Sequence, residues 1–187
     1  MSISQASVEK VKGLLRIEEL ELPTEIIVLN KELGFSFGSP LLPGIVQASR
    51  SWSIPEKRRE LTEIMRAVLA SGKRLDPNAQ KAPDMPALHV AASRGRITML
   101  RLILRHPEVD VNAQDSRGWT ALMMAVSRLD IQIVKVLLAR PEIDLSLETK
   151  TGMTAMDMSN LSRRKGAQEI LKMLKYKEVA ANWTDLN

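Results

Sequence analysis

Two histidines, His89 and His106, and no cysteine set the outer limits of what this chain could do chemically. Imidazole suits proton transfer near neutral pH and is a common metal ligand. Either task needs company: further His, Asp or Glu at ligand spacing for a metal, or a second positioned group for acid–base or nucleophilic work. No such cluster accompanies His89, and His106 reads as a solvated cation at the end of a helix, where the dipole favours positive charge. Without cysteine there are no structural disulfides, thiolate zinc sites or cysteine nucleophiles. The nine glycines never form G-x-x-x-x-G-K or G-x-G-x-x-G, and no G-x-S-x-G occurs, so phosphate-cradling loops and a serine-hydrolase elbow are excluded. Glu18, Glu19 and Glu21 cluster at helical spacing beside Lys10 and Arg16, the pattern of a solvated face rather than of an acid–base pair. No catalysis, no cofactor and no metal are therefore expected.

Charge offers the next possibility. The net charge is +5, with Arg94, Arg96, Arg101 and Arg105 close together and Lys57-Arg58-Arg59 forming a second basic run. A nucleic-acid surface interleaves such charge with exposed aromatics. Aromatics make up only 3% of the chain, and Trp119 alone could serve in its repeated part, so a protein partner is expected rather than nucleic acid. Met123, Met124, Met153, Met156 and Met158 read as core gap-fillers, not as a cofactor box.

The elements that would carry these residues follow from composition and period. Of 187 residues, 44% are hydrophobic and 26% charged, enough for one domain or a short solenoid. With so few aromatics, Leu, Ile, Val, Met and Ala must fill the core, which favours helices over a β-sandwich. Self-similarity then stands out. Ala87-Leu88 recurs as Ala121-Leu122 and Ala155-Met156, each step 34 residues. The same step relates Gly118 to Gly152, Thr120 to Thr154, Pro107-Glu108 to Pro141-Glu142, and Asp76-Pro77-Asn78-Ala79-Gln80 to Asp110-Val111-Asn112-Ala113-Gln114. Each unit reads as two helices. Leu88, Ala91 and Ala92 open one and Met99, Leu100, Ile103 and Leu104 mark the next; Ala121 to Ser127 is followed by Ile131, Val134, Leu137 and Leu138 on one face. Pro107 and Pro141 stop the second helices, and polar, Gly-containing turns over 112–119 and 146–153 join the units. Gly95 in the first inter-helix turn is matched by Leu129 in the second, where a left-handed backbone would strain a leucine.

Pro86-Ala87-Leu88-His89-Val90-Ala91-Ala92-Ser93-Arg94-Gly95 resembles the ankyrin signature T-P-L-H-x-A and the glycine after it, and Asp115-Ser116-Arg117-Gly118-Trp119-Thr120-Ala121-Leu122 resembles the opening of a following repeat. The period exceeds the family's usual length of about 33 by one, with the extra residue near Arg105-His106-Pro107-Glu108. The resemblance covers residues 81–176. It implies an all-α ankyrin-repeat solenoid of stacked helix-turn-helix units, here with an atypical helical N-terminal cap. It places His89 where the family hydrogen-bonds between loops; Met123 and Asp157 hold the matching positions, so that bonding is expected to be incomplete. It also implies that partners bind a concave surface of turn tips and first helices, which corresponds to Met85, Ser93 and Arg94, to Ser116, Arg117, Trp119, Ser127 and Arg128, and to Lys150, Thr151, Met153 and Leu161. Trp119 and Arg117 are its expected centre, because Trp and Arg dominate binding hot spots.

The expected organisation is a divergent helical cap over 1–37, an atypical repeat with a long inter-helix loop over 38–80, repeats over 81–114 and 115–148, and a capping repeat with tail over 149–187. Within 38–80, Ile64, Ala67, Val68 and Leu69 line one helix face and Gly72 stands at a C-cap. The last helix is expected over Gln168 to Lys175, with Lys172, Lys175 and Lys177 turned outward as a terminal repeat requires. No signal peptide or membrane-length apolar run is evident. A monomer in the cytoplasm is expected, or one delivered into a host cell by a route without a cleaved signal, since the layout resembles ankyrin proteins of host-associated bacteria. The expected function is a protein–protein interaction module acting as adaptor, inhibitor or host-directed effector. The alternatives are an activity carried by residues 1–58 that the repeats target, and nucleic-acid binding through the basic patches.

Overall fold

The computed structural model describes residues 85–184 together with 59, 62–66, 69 and 78. The expected cap over 1–37, the long loop and the Gly72 C-cap lie outside the described residues. Six helices form three pairs: α1 Ala87–Ser93 with α2 Ile97–Ile103, α3 Ala121–Arg128 with α4 Ile131–Leu138, and α5 Ala155–Leu161 with α6 Ala167–Thr184. The first helices begin at Ala87, Ala121 and Ala155, so the 34-residue period of the sequence returns as a period of helix starts. No strand occurs among the described residues.

Two compact units contain these helices, one of residues 1–91 with 98–109 and the other of 92–97 with 110–187. In the first, Ile64 and Met65 of a helical stretch over 62–66 are fully buried, as are Ala87, Ala91, Met99, Leu100 and Ile103. In the second, α3 packs against both α4 and α5, and α6 against α4 and α5. A short helix covered on two sides keeps little solvated surface: Ala121 to Val126 are all buried, and only the last two residues of α3 are exposed. The outer helices are one-sided: Ile133, Val134 and Leu137 of α4 and Ile170, Leu171 and Leu174 of α6 are buried, while Lys135, Lys172 and Lys175 stay in water. Met123 and Met124 are core, as expected, whereas Met153, in the turn before α5, and Met156 and Met158 on α5 are only half-buried.

The starts of the first helices use one position in three ways. Thr120 caps α3: its Oγ1 accepts the Met123 N–H (3.2 Å), and Met123 Sδ accepts the Thr120 N–H (3.4 Å). Thr154 and Asp157 close the same box on α5, with Oδ2 accepting the Thr154 N–H at 3.0 Å. Both residues standing at the His89 position therefore satisfy orphan donors of their own helix. His89 itself is completely buried.

The turn between α3 and α4 has the Schellman pattern. The Asp130 N–H reaches the Ala125 carbonyl (3.0 Å), the Leu129 N–H reaches Val126 (2.9 Å), and Asp130 Oδ1 then caps α4 on the Ile133 N–H (3.1 Å). Leu129 adopts φ +58°, the left-handed conformation that Gly95 takes at +69°. The turn is unaltered, and the leucine bears the strain. Relieving it should outweigh the loss of a half-buried side chain, so Leu129→Gly is expected to stabilise the protein by about 1 kcal/mol, a rise of about 2–4 °C in melting temperature. A fall would show that the Leu129 side chain contributes more by packing than its backbone costs.

Side-chain amides tie consecutive repeats together. Asn112 Nδ2 donates to the Glu142 carbonyl (2.7 Å), and its Oδ1 accepts the Asp144 N–H (2.9 Å). Asn78 donates in the same way to the Glu108 carbonyl (2.8 Å), again 30 residues on. The next position in the series is Ser146, whose N–H and hydroxyl both turn back to Asp144 Oδ1 (2.8 and 2.7 Å).

Two expectations for the helix ends need correction. His106, expected as a solvated cation closing a helix, lies three residues beyond the end of α2, half-buried, and its Nδ1 accepts the Glu108 N–H (3.4 Å). The last helix does not stop at Lys175 but runs on to Thr184. Lys172 and Lys175 are outward as expected; Lys177 is half-buried, its Nζ donating to the Arg140 carbonyl (3.1 Å). The α6 surface is therefore less polar than a terminal cap would suggest: Tyr176 is 80% and Val179 54% exposed.

Candidate partner-binding surface

The turn before α3 is built on Asp115. Its Oδ1 accepts the N–H groups of Arg117 and Trp119, both at 2.9 Å, and its own N–H donates to the Trp119 carbonyl at 2.9 Å. The carboxylate is 2% exposed and its Oδ2 faces the Arg117 guanidinium at 3.1 Å, while the Arg117 side chain is 63% exposed. From there Arg117 lies over the Trp119 ring, 5.2 Å from its centroid, within cation–π range. One buried acid thus orders the loop backbone and anchors the arginine that stacks on the tryptophan. The following turn repeats the geometry with a neutral residue. Thr149 Oγ1 accepts the Met153 N–H (3.2 Å), and the Thr149 N–H donates to the Met153 carbonyl (3.0 Å).

Adjacent turns are joined along their backbones. The Lys150 N–H donates to the Arg117 carbonyl (2.9 Å), and Gln114 Nε2 bridges the Gly118 and Glu148 carbonyls (2.8 Å each). Gly118, at φ +77°, is the point of closest approach: a Cβ there would stand 2.9 Å from Lys150 N and 3.0 Å from Thr149 Cα.

The expected site residues divide into two sets. Ser116, Arg117 and Lys150 are exposed and Trp119 and Met153 half-buried on the two joined turns. Arg128 closes α3, about 12 Å along the helix axis from its start, and its guanidinium lies over Gly95, 3.3 Å from where a Cβ would be. It therefore belongs with half-buried Arg94 at the inter-helix turns, not with the tips. Met85 is half-buried in the first unit. The first helices themselves offer little: on α3 only Ser127 and Arg128 are exposed, and on α5 only Asp157, Asn160 and Leu161. Asp115, on which the tip depends, is not among the residues that the spacing singles out. An aspartate three places before a glycine, the mark of a side-chain-closed turn, is the signal that could have found it. Among the described residues no group of three His, Asp or Glu could hold a metal, and no helix is long and apolar enough to cross a membrane.

Asp115 should also report on pH. Burial opposes its ionisation, but the N–H groups of Trp119 and Arg117 and the Arg117 guanidinium outweigh it and hold the carboxyl below its ordinary value. A depressed acid contributes stability above its unfolded pKa of about 4, and that contribution is lost as pH falls through the folded value. Asp115→Asn is expected to lower the melting temperature at neutral pH, with the gap to the parent protein closing in strong acid. A gap that stays constant from pH 7 to pH 2 would show that the charge at Asp115 contributes nothing. Asp157, held low by the Thr154 hydroxyl and N–H, leaves a residual acid limb in either protein.

Comparison with known proteins agrees with this architecture. A family model described as ankyrin repeats in three copies matches residues 57–149 and 88–185. No curated protein matches the chain. The crystal structure of the ankyrin-repeat protein EF0377 is similar with a TM-score of 0.61, at 18% identity over 94% of this chain and 83% of that one. At that identity the likeness concerns the fold alone.

Proposed function

Because this chain belongs to the ankyrin-repeat family, whose repeats are protein–protein interaction modules and typically non-enzymatic, we propose that it binds a partner protein through the joined turn tips carrying Ser116, Arg117, Trp119, Lys150 and Met153. Its role would be that of an adaptor, an inhibitor or a host-directed effector. The Arg117–Trp119 stack carries this reading. Trp and Arg are the residues most often found at hot spots, and here both are set in place before any partner arrives, which lowers the entropy lost on binding. Arg94 and Arg128 are taken to extend the surface at the inter-helix turns, and Met85 is a separate candidate contact within the first unit.

The test needs two readings on Trp119→Ala and Arg117→Ala: melting temperature, and retention of the partner captured by the parent protein from a cell lysate. Asp115 keeps both backbone donors in either variant, so folding should change by no more than about 1 kcal/mol. Retention should fall roughly thirtyfold, the effect of truncating a buried anchor. Unchanged stability with lost retention supports the site. Unchanged retention moves the interface elsewhere, and a large loss of stability makes Trp119 a packing residue.

A further inference from the structure

We propose that the cleft between α4 and α6 is a second docking site, and that its occupant is an acidic amphipathic helix of a partner protein. The cleft has a volume of about 420 Å³. Its floor and walls are apolar: Leu138 and Ala139 on one side, Met173, Tyr176 and Ala180 on the other. Lys172, Tyr176 and Ala180 recur every four residues, so they form one stripe along α6. Tyr176 is 80% exposed, the side-chain type that anchors interfaces, yet it stands on the wall of an apolar cleft and covers none of the core.

The rim decides the chemistry of the occupant. Every ionisable carboxylate is missing from the lining, and its three charged groups are all lysines: Lys135, Lys172 and Lys177. Lys135 has only an exposed, long contact to Glu169 (3.7 Å), and Lys177 donates to a carbonyl. Lys172 forms no ion pair among the described residues. A ligand that complements this surface presents apolar side chains flanked by carboxylates. From residue 172 to 180 the cleft follows α6 for roughly 12 Å, about two turns of an opposing helix, and the described residues offer no sheet edge for an extended strand. Helix-in-groove recognition, with anchors at i, i+3 or i+4, and i+7, is the mode that fits. A flat anionic lipid surface fits less well, because Leu138 and Met173 are half-buried at the cleft floor rather than projecting from it.

This site is independent of the turn tips, so its fate and theirs can be told apart. The probe is a fluorescently labelled peptide of about fifteen residues, with leucines at helical a and d spacing and glutamates elsewhere, titrated against the full chain by anisotropy. Saturable binding is expected, weakening as salt screens the lysines. Tyr176→Ala should cost roughly thirtyfold in affinity, and Lys172→Glu about tenfold, with Trp119→Ala unchanged. Both substituted residues are exposed, so melting temperatures should match the parent. A peptide with lysine in place of glutamate should not bind. The proposal is overturned if the acidic peptide shows no saturable binding. It is overturned equally if binding survives Tyr176→Ala and Lys172→Glu, which would be a general attraction to a chain of net charge +5. Sedimentation with phosphatidylserine vesicles that both substitutions abolish would overturn it in favour of a membrane surface.

Discussion

Leu122→Asp should unfold far more than its own helix. Leu122 is 1% exposed in the first turn of α3, the helix packed against both α4 and α5. An aspartate there meets neither water nor a cation. Either the carboxylate is buried uncompensated or it is protonated at a cost, and either outcome removes several kcal/mol from a total of order ten. In a repeat protein, stability is shared through interfaces between neighbours, so the loss should propagate. Hydrogen exchange reads this directly. Amide protection should fall in α5 as well as in α3 and α4. Protection lost only across residues 115–145, with α5 untouched, would mean that the unit opens by itself and that its interface contributes little.

A methyl group at Gly118 should come next in severity, and Gly152 supplies its control. Both glycines have positive φ, +77° and +72°, so alanine at either bears the left-handed penalty of about 1–2 kcal/mol. Beyond that they differ. The Cβ at Gly152 would meet nothing closer than the end of the Glu148 side chain at 3.9 Å, whereas at Gly118 it would collide with the backbone of residues 148–150. Backbone cannot swing aside as a side-chain tip can. To make room, the Lys150 N–H must leave the Arg117 carbonyl, and the two turns must part. Gly118→Ala should therefore destabilise by about 3 kcal/mol or more, and Gly152→Ala by about 1. Equal losses in denaturant titration would show that the two turns are not in close backbone contact in solution. Because the same turns carry Arg117 and Trp119, Gly118→Ala should weaken partner retention too, although it removes no contacting side chain.

The architecture was legible in the sequence for a physical reason. Repeats must present matching faces to one another, so Ala87, Ala121 and Ala155 recur at one interval, and the same interval locates every first helix. The strained Leu129 could be read for the same reason, by setting it against Gly95. The far half of α6 could not. Beyond Leu174 the helix has no core to line, so Lys175 to Ala181 lack the apolar period that marks a buried face, and neither glycine nor proline intervenes to stop it. Periodicity detects packing rather than helicity, and an overhanging helix shows little of it. At the tips, Trp119 and Arg117 stand out by residue type alone, but type does not reveal that Arg117 is also held by a buried carboxylate. The family resemblance places Arg128 on the same surface, and the length of α3 sets it apart from the tips.

The amide ties at Asn78 and Asn112 bear on how such a chain can grow. Each joint demands a particular side chain only from the earlier unit; the later unit answers chiefly with main-chain groups, which any sequence supplies. A tandem copy of residues 112–145 would therefore bring its own fastening, and the copied asparagine would meet the same carbonyl that the original meets. A unit begun at Ser146 would not, because the serine is shorter and its hydroxyl is already turned onto Asp144. Lengthening by duplication is open in the interior of the array and handicapped at its last joint.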